Sequence, residues 1–213
     1  MKKRLNLLMA MIALVLAFTQ ALAAPVMDAN HQLAALLSNF KTFSANFNQQ
    51  VFDENQKVVQ SNTGQVLIER PGKFRWVSTV PTKQIIIASG PTLWTYDVDL
   101  EQATKQPFTE SKGVTPANLL SGNIVDMQKQ FNITKLPAKG DGVSFRLVPK
   151  AKSDLFQSVD MGFQNKQMTS MLVKNNLGQT IVFDFSNIVL NKLIDASQFQ
   201  FSAPKGVDVI NNG

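Results

Sequence analysis

Apolar positions recur at two periods along this chain, and the changes of period divide it into elements. From Asn30 to Phe40, the residues Leu33, Leu36, Leu37 and Phe40 fall at i, i+3, i+4 and i+7. That spacing predicts an amphipathic helix with Asn30 as its N-cap. At Phe43 the period drops to two: Phe43, Ala45, Phe47 and Val51 alternate with Ser, Asn and Gln, which predicts a strand. Asp53 to Gln56 is a turn. Val58-Val59 and Gly64 to Glu69 form the next strand or two short ones, and Pro71-Gly72 turns again. Phe74, Trp76 and Ser78 alternate, Lys83 to Ala88 is β-branched and apolar, Ser89 to Thr92 turns, and Leu93 to Asp97 returns. The pattern is a meander of hairpins.

The middle of the chain switches period. Thr115 to Gly122 places Thr at an N-cap, Pro116 at the first helical position and Gly after the end, so a short helix carrying Leu119 and Leu120 is expected. Asn123 to Gln130 reads as a second helix. Strand patterns resume at Phe131–Leu136, Val143–Val148, Phe156–Phe163, Gln167–Lys174 and Thr180–Phe185, and turns at Gly140–Gly142, Gln164–Lys166 and Asn175–Gly178 separate them. Phe199, Phe201 and Pro204-Lys205-Gly206 close the chain. Strands at such spacing predict a mainly β sandwich or barrel. Helices interrupting it would plug or cover one apolar face, and a covered apolar face suits a greasy ligand.

One residue breaks the pattern. Strand alternation puts Val66, Ile68 and Arg70 on one face, so a guanidinium ends an apolar row just before a proline that cannot extend the ladder. A charge facing apolar surface must find acceptors or stay wet.

The N-terminus is read as a processing signal. Met1-Lys2-Lys3-Arg4 is a basic start, Leu5 to Phe18 is apolar apart from Asn6, and Ala21-Leu22-Ala23 is an A-x-A cleavage site. Residues 1–23 are therefore expected to be removed, leaving 24–213 as a single domain, and the apolar run is too short for a spanning helix. The destination is the periplasm of a bacterium. The chain has no cysteine, so it has neither a disulfide framework nor a thiol for an N-terminal lipid anchor. The formal charge of +6 drops to +3 once Lys2, Lys3 and Arg4 are removed, leaving 18 basic against 15 acidic residues. That balance does not argue for nucleic acid.

Catalytic chemistry is scarce. There is one histidine, His31, in the first turn of a surface helix, and no cysteine, so neither a serine nor a cysteine triad nor a zinc site is expected. The remaining enzymatic option is Asp97, Asp99 and Glu101, three carboxylates at spacing two, against the simpler reading of a polar hairpin turn. No cofactor or metal is expected. Fifteen phenylalanines and one tyrosine favour purely apolar contact, with Phe74, Trp76, Trp94 and Tyr96 at strand spacing.

Several segments, in order, resemble the outer-membrane lipoprotein carrier family, LolA. They are Phe43 to Gln49 through Gly64, Arg70-Pro71-Gly72-Lys73-Phe74-Arg75-Trp76, Ser89 to Tyr96, Leu147 to Lys150, Asn176 to Thr180, Phe199-Gln200-Phe201, and Pro204 to Ile210. The resemblance implies an incomplete antiparallel β-barrel, a half-barrel, covered by a short α-helical lid over an apolar cavity. It implies a non-enzymatic periplasmic chaperone, expected to be monomeric, that takes acylated lipoproteins from an inner-membrane ABC transporter to an outer-membrane acceptor lipoprotein. By the same resemblance Arg70 ties the lid shut through main-chain carbonyls, Pro71 and Phe74 belong to the motif that bears on loading, and Pro116, Leu119 and Leu120 form the lid helix. Phe47, Val66, Ile68, Trp76 and Trp94 are expected to line the cavity. The Asn176-Leu177 pair before Gly178 departs slightly from the family pattern. The alternative is a related periplasmic binding module that senses lipids or lipoproteins.

Overall fold

The computed structural model describes residues 28–108, 116–121, 124–138, 140–151 and 156–212. The expected signal segment, the Thr115 cap, Gly122 and Asn123 lie outside these residues. Helix α1 spans Ala29–Ser38, starting two residues earlier than the Asn30 cap predicts. Asp28 occupies the cap position, and its carboxylate bonds the Asn30 side chain rather than a helix amide. Leu33, Leu37 and Phe40 are buried, as their spacing requires, and His31 is exposed.

Twelve strands follow: β1 (Thr42–Phe52), β2 (Val58–Glu69), β3 (Lys73–Val80), β4 (Gln84–Ser89), β5 (Thr92–Asp97), β6 (Gln102–Pro107), β7 (Phe131–Leu136), β8 (Val143–Pro149), β9 (Phe156–Gln164), β10 (Gln167–Asn175), β11 (Thr180–Leu190) and β12 (Asp208–Asn211). They form one sheet in the order β12-β6-β5-β4-β3-β2-β1-β11-β10-β9-β8-β7. Neighbours are antiparallel except β12, which runs parallel to β6. The edges β12 and β7 do not pair, so the sheet stays open rather than closing into a barrel.

Val58 to Glu69 is one continuous strand rather than two. Strands β6 and β12 escape the hydrophobic pattern because β6 reads Gln-Ala-Thr-Lys-Gln-Pro and β12 is exposed throughout. Asp97 ends β5, and residues 98–101 are the polar turn into β6, with the Leu100 amide donating to Asp97. Among the described residues, no cluster of three potential metal ligands forms.

The helices lie where the topology forces them. Strand β6 runs beside one edge of the sheet and β7 forms the other, so the chain between them must cross a face. Helices α2 (Pro116–Ser121) and α3 (Ile124–Gln130) are in that crossing. Pro116 opens α2, as its fixed φ and missing N–H favour. Leu119, Leu120 and Met127 join Leu33, Leu37 and Phe40 in the main apolar cluster on that face. The Gln128 side chain donates to the Asn30 carbonyl at 3.1 Å and ties α3 to α1.

Candidate functional site

The sheet presents two faces, and cross-strand pairing decides which residue lies on which. On the inner face, Phe43, Ala45 and Phe47 of β1 sit beside Val66 and Ile68 of β2, Phe74 and Trp76 of β3, and Phe183 and Phe185 of β11. Four of these rings form a continuous aromatic floor. Trp76 stacks on Phe47 with centroids 3.9 Å apart, meets Phe74 at 6.0 Å, and receives Phe183 edge-on at 5.3 Å. Gly64 makes the closest stack feasible, because a Cβ there would come 2.6 Å from the Phe47 ring and 1.9 Å from the Val77 carbonyl oxygen.

Phe47, Val66, Ile68, Phe74 and Trp76 therefore face the helices, together with Leu119 and Leu120. Trp94 does not, which corrects its assignment to the same lining. It pairs with Ile87 and Lys105 on the opposite face, where its ring packs 5.1 Å from Phe201 and lies under the Lys105 ammonium. Tyr96 and Phe199 share that outer layer, which is fastened by Arg75 donating to the Gln198 carbonyl at 3.1 Å. Alternation shows which residues share a face but leaves open which face each strand turns to the helices.

Arg70 is on the inner face, one step beyond Ile68, and only 9% of its surface is exposed. Its Nη1 donates to the Leu37 carbonyl at 2.6 Å and its Nε to the Leu120 carbonyl at 2.9 Å. These carbonyls belong to the last turns of α1 and α2. The final carbonyls of a helix have no partner within it and carry the negative end of its dipole, so they are natural acceptors for a cation. One planar fork thus bridges the C-terminal ends of two helices 83 residues apart in sequence, a contact the spacing of neither helix foretells. The guanidinium also lies 4.4 Å over the Phe40 ring. Burial pulls its pKa down to about 10, so it stays charged at neutral pH.

Main-chain groups complete the junction. The Arg70 amide donates to the Lys41 carbonyl at 2.9 Å, and the Gly72 amide donates to the Ser121 carbonyl at 2.9 Å. Gly72 has φ +81°, the left-handed turn conformation that glycine tolerates. Pro71 is exposed between them and follows a cis peptide bond. Lys73 turns away to pair with Glu69 at 2.8 Å.

A residue that sequence reasoning missed anchors the other side. Asn191, at φ +58° just beyond β11, accepts from the Lys41 amide at 2.8 Å and donates to the Asn39 carbonyl at 2.9 Å. Its own amide donates to the Thr42 carbonyl. The segment joining α1 to β1 is thereby pinned next to Arg70. An asparagine between an apolar strand and a lysine carries only the faint signal of a residue that tolerates positive φ.

Residues 38–202 match the family model described as outer membrane lipoprotein carrier protein LolA. An outer-membrane lipoprotein carrier protein of Coxiella burnetii (strain RSA 493 / Nine Mile phase I) is 47% identical over 184 residues, covering 86% of this chain and 87% of that protein. The carrier protein of Hahella chejuensis is 38% identical over 195 residues, covering 89% of this chain and 93% of that protein. That of Alcanivorax borkumensis is 36% identical over 208 residues, covering 98% of each. A crystal structure of an uncharacterized conserved protein from Thermus thermophilus shares the fold with a TM-score of 0.53 at 10% identity, covering 87% of this chain and all of that one. The matched segment includes β1 to β11, the Arg70 junction and the crossing helices, so the chain belongs to the LolA family of outer-membrane lipoprotein carrier proteins.

Proposed function

We propose that this protein is a periplasmic chaperone for acylated lipoproteins, holding their acyl chains between the inner sheet face and the helices. It receives them from an inner-membrane ABC transporter and passes them to an outer-membrane acceptor lipoprotein. Cleavage after Ala23 releases the mature carrier, which works as a monomer and by binding alone. Support for carriage comes from its relatives, which are named outer-membrane lipoprotein carrier proteins.

The need for such a carrier follows from apolar transfer. Each methylene kept from water is worth about 0.8 kcal/mol, so a chain of roughly 16 carbons has on the order of 12 kcal/mol opposing its entry into water. A carrier must offset that and still release its cargo. Here the apolar face is covered by the protein's own Leu33, Leu37, Leu119 and Leu120. Acyl chains that displace these leucines exchange one apolar contact for another, which keeps binding from becoming irreversible. In this reading α1 and α2 are the lid, and Arg70 is the latch that holds it closed when cargo is absent.

The observation that carries the proposal is the single guanidinium joined to the C-terminal ends of α1 and α2 at the end of an apolar sheet face. The test is native mass spectrometry of the protein taken from periplasm in which the acceptor has been depleted. The expected spectrum shows carrier with a lipoprotein bound. Uniformly empty protein under those conditions rejects carriage.

A further inference from the structure

Arg70 has more donor capacity than the helices use. A guanidinium offers five N–H donors in a rigid fork and accepts nothing. Nε and Nη1 are taken by the Leu120 and Leu37 carbonyls, but Nη2 is buried with no hydrogen-bond partner among the described residues. The side chain lies at the end of the inner-face row formed by Val66 and Ile68, with Phe74 paired beside Ile68. Its neighbour Glu69 is engaged with Lys73, and among the described residues no carboxylate forms an ion pair with Arg70. Phe40, Ile68 and Phe74 supply apolar surface beside it.

That arrangement creates a problem once the helices separate. Removing α1 and α2 takes away both acceptors while leaving a permanent charge at the end of an apolar face. That charge must then find its acceptors in water or in the ligand that takes the helices' place. The ligand proposed for this face is apolar along its length and has polar atoms only where the chains join the glyceryl group. Those atoms are ester carbonyl oxygens, which accept and do not donate, and a diacylated glyceryl group carries two of them.

We infer that Arg70 is the polar anchor for the ester carbonyls of the acyl chains, exchanging the Leu37 and Leu120 oxygens for those of the cargo. Nη2 supplies a donor that is already free for this exchange. The exchange fixes the polar linkage at the Arg70 end of the row and directs the chains over Ile68 and Val66 toward the Phe47–Trp76 stack. Arg70 is then a binding residue in the loaded state as well as a tie in the empty one. This inference rests on the carrier reading.

The experiment separates the two. Two synthetic probes are used: a lipopeptide whose cysteine bears an S-glyceryl group with two palmitoyl esters, and the same lipopeptide with both esters replaced by hexadecyl ethers. Affinities are measured by calorimetry for the full processed chain and for Arg70→Leu. A hydrogen bond from a charged donor corresponds to a factor of about ten or more in affinity. The wild type should bind the ester at least about tenfold more tightly than the ether, and Arg70→Leu should bind the two within about twofold. Arg70→Lys, which keeps the charge but loses the fork, should fall between and serves if the leucine variant does not fold. Equal affinities in the wild type overturn the anchor, as does a wild-type ratio retained in Arg70→Leu. If neither probe binds the wild type, the carrier reading itself fails.

Discussion

The strength of the Arg70 tie decides whether it acts as a latch or as an ordinary structural bond, and Arg70→Leu measures it. Two hydrogen bonds from a charged donor to carbonyls, at 2.9 and 2.6 Å, contribute about 1.5–3 kcal/mol each. The stacking over Phe40 at 4.4 Å adds about 1 kcal/mol. Against this stands the cost of taking the guanidinium out of water. A pKa lowered to about 10 corresponds to roughly 3 kcal/mol of disfavour for the charged form. The closed arrangement is then favoured by about 1–4 kcal/mol, with the unpartnered Nη2 pulling toward the lower figure. A tie of that size would suffice to hold an empty carrier shut and would still yield to two acyl chains. Replacing the buried cation by the shorter leucine removes bonds and desolvation cost together and leaves the Leu37 and Leu120 carbonyls without this donor. Arg70→Leu should therefore lower the free energy of urea unfolding by about 1–4 kcal/mol, the net strength of the tie. Transfer of bound lipoprotein to acceptor-bearing vesicles should fall sharply, because the empty carrier has lost its stable closed form. A stability loss above about 4 kcal/mol would make Arg70 a structural keystone, and transfer at the wild-type rate would sink the latch.

Other perturbations test the surrounding geometry. Gly64→Ala forces a Cβ against the Val77 carbonyl and the Phe47 ring, so it should cost about 1–3 kcal/mol in thermal unfolding; an unchanged midpoint would show that the stack is not tightly fixed. Asn191→Ala removes two bonds to the α1–β1 joint and should cost about 1 kcal/mol while speeding amide exchange in α1 more than in β9 and β10; uniform exchange would rule out a local anchor. The two tryptophans should report separately on the two faces. In Trp94→Phe, the remaining Trp76 should change its emission when a diacyl lipopeptide binds, whereas in Trp76→Phe the remaining Trp94 should not. A response from Trp94 alone would place the ligand on the outer face.

Much of the sheet is legible because its inner residues announce themselves. The alternation of Phe43, Ala45 and Phe47, and of Phe74 and Trp76, marks buried strand faces, and all five residues are buried. The crossing helices are readable from Pro116 and the paired leucines. The misses have a common cause in long-range pairing. Strand β6 has little apolar content of its own beyond Ala103, and it exists because β5 on one side and β12 on the other supply hydrogen bonds. Trp94 is as apolar as the lining residues, and only the register of β5 against β4, which pairs it with Ile87 opposite Arg75, puts it on the outer face with Phe201. At Arg70 the sequence shows a charge in need of acceptors, but carbonyls carry no side-chain signature, so Leu37 and Leu120 could not be named as its partners.

The pairing of β1 with β11 sets the order in which this molecule can assemble. Each hairpin from β2 to β6 and from β7 to β10 closes between neighbours in sequence, but the β1–β11 seam joins residues as far apart as Phe43 and Leu190. Loop-closure entropy makes such a contact slow to form. Until β11 arrives, β1 has a bare edge, the aromatic floor lacks Phe183, and Phe43 lacks its partner Phe185. A chain halted before Thr180 would present two partial sheets with unpaired strands, the kind of surface that invites aggregation. The carrier thus becomes competent for greasy cargo only at the end of its own folding, and before that point its apolar face needs protection of its own.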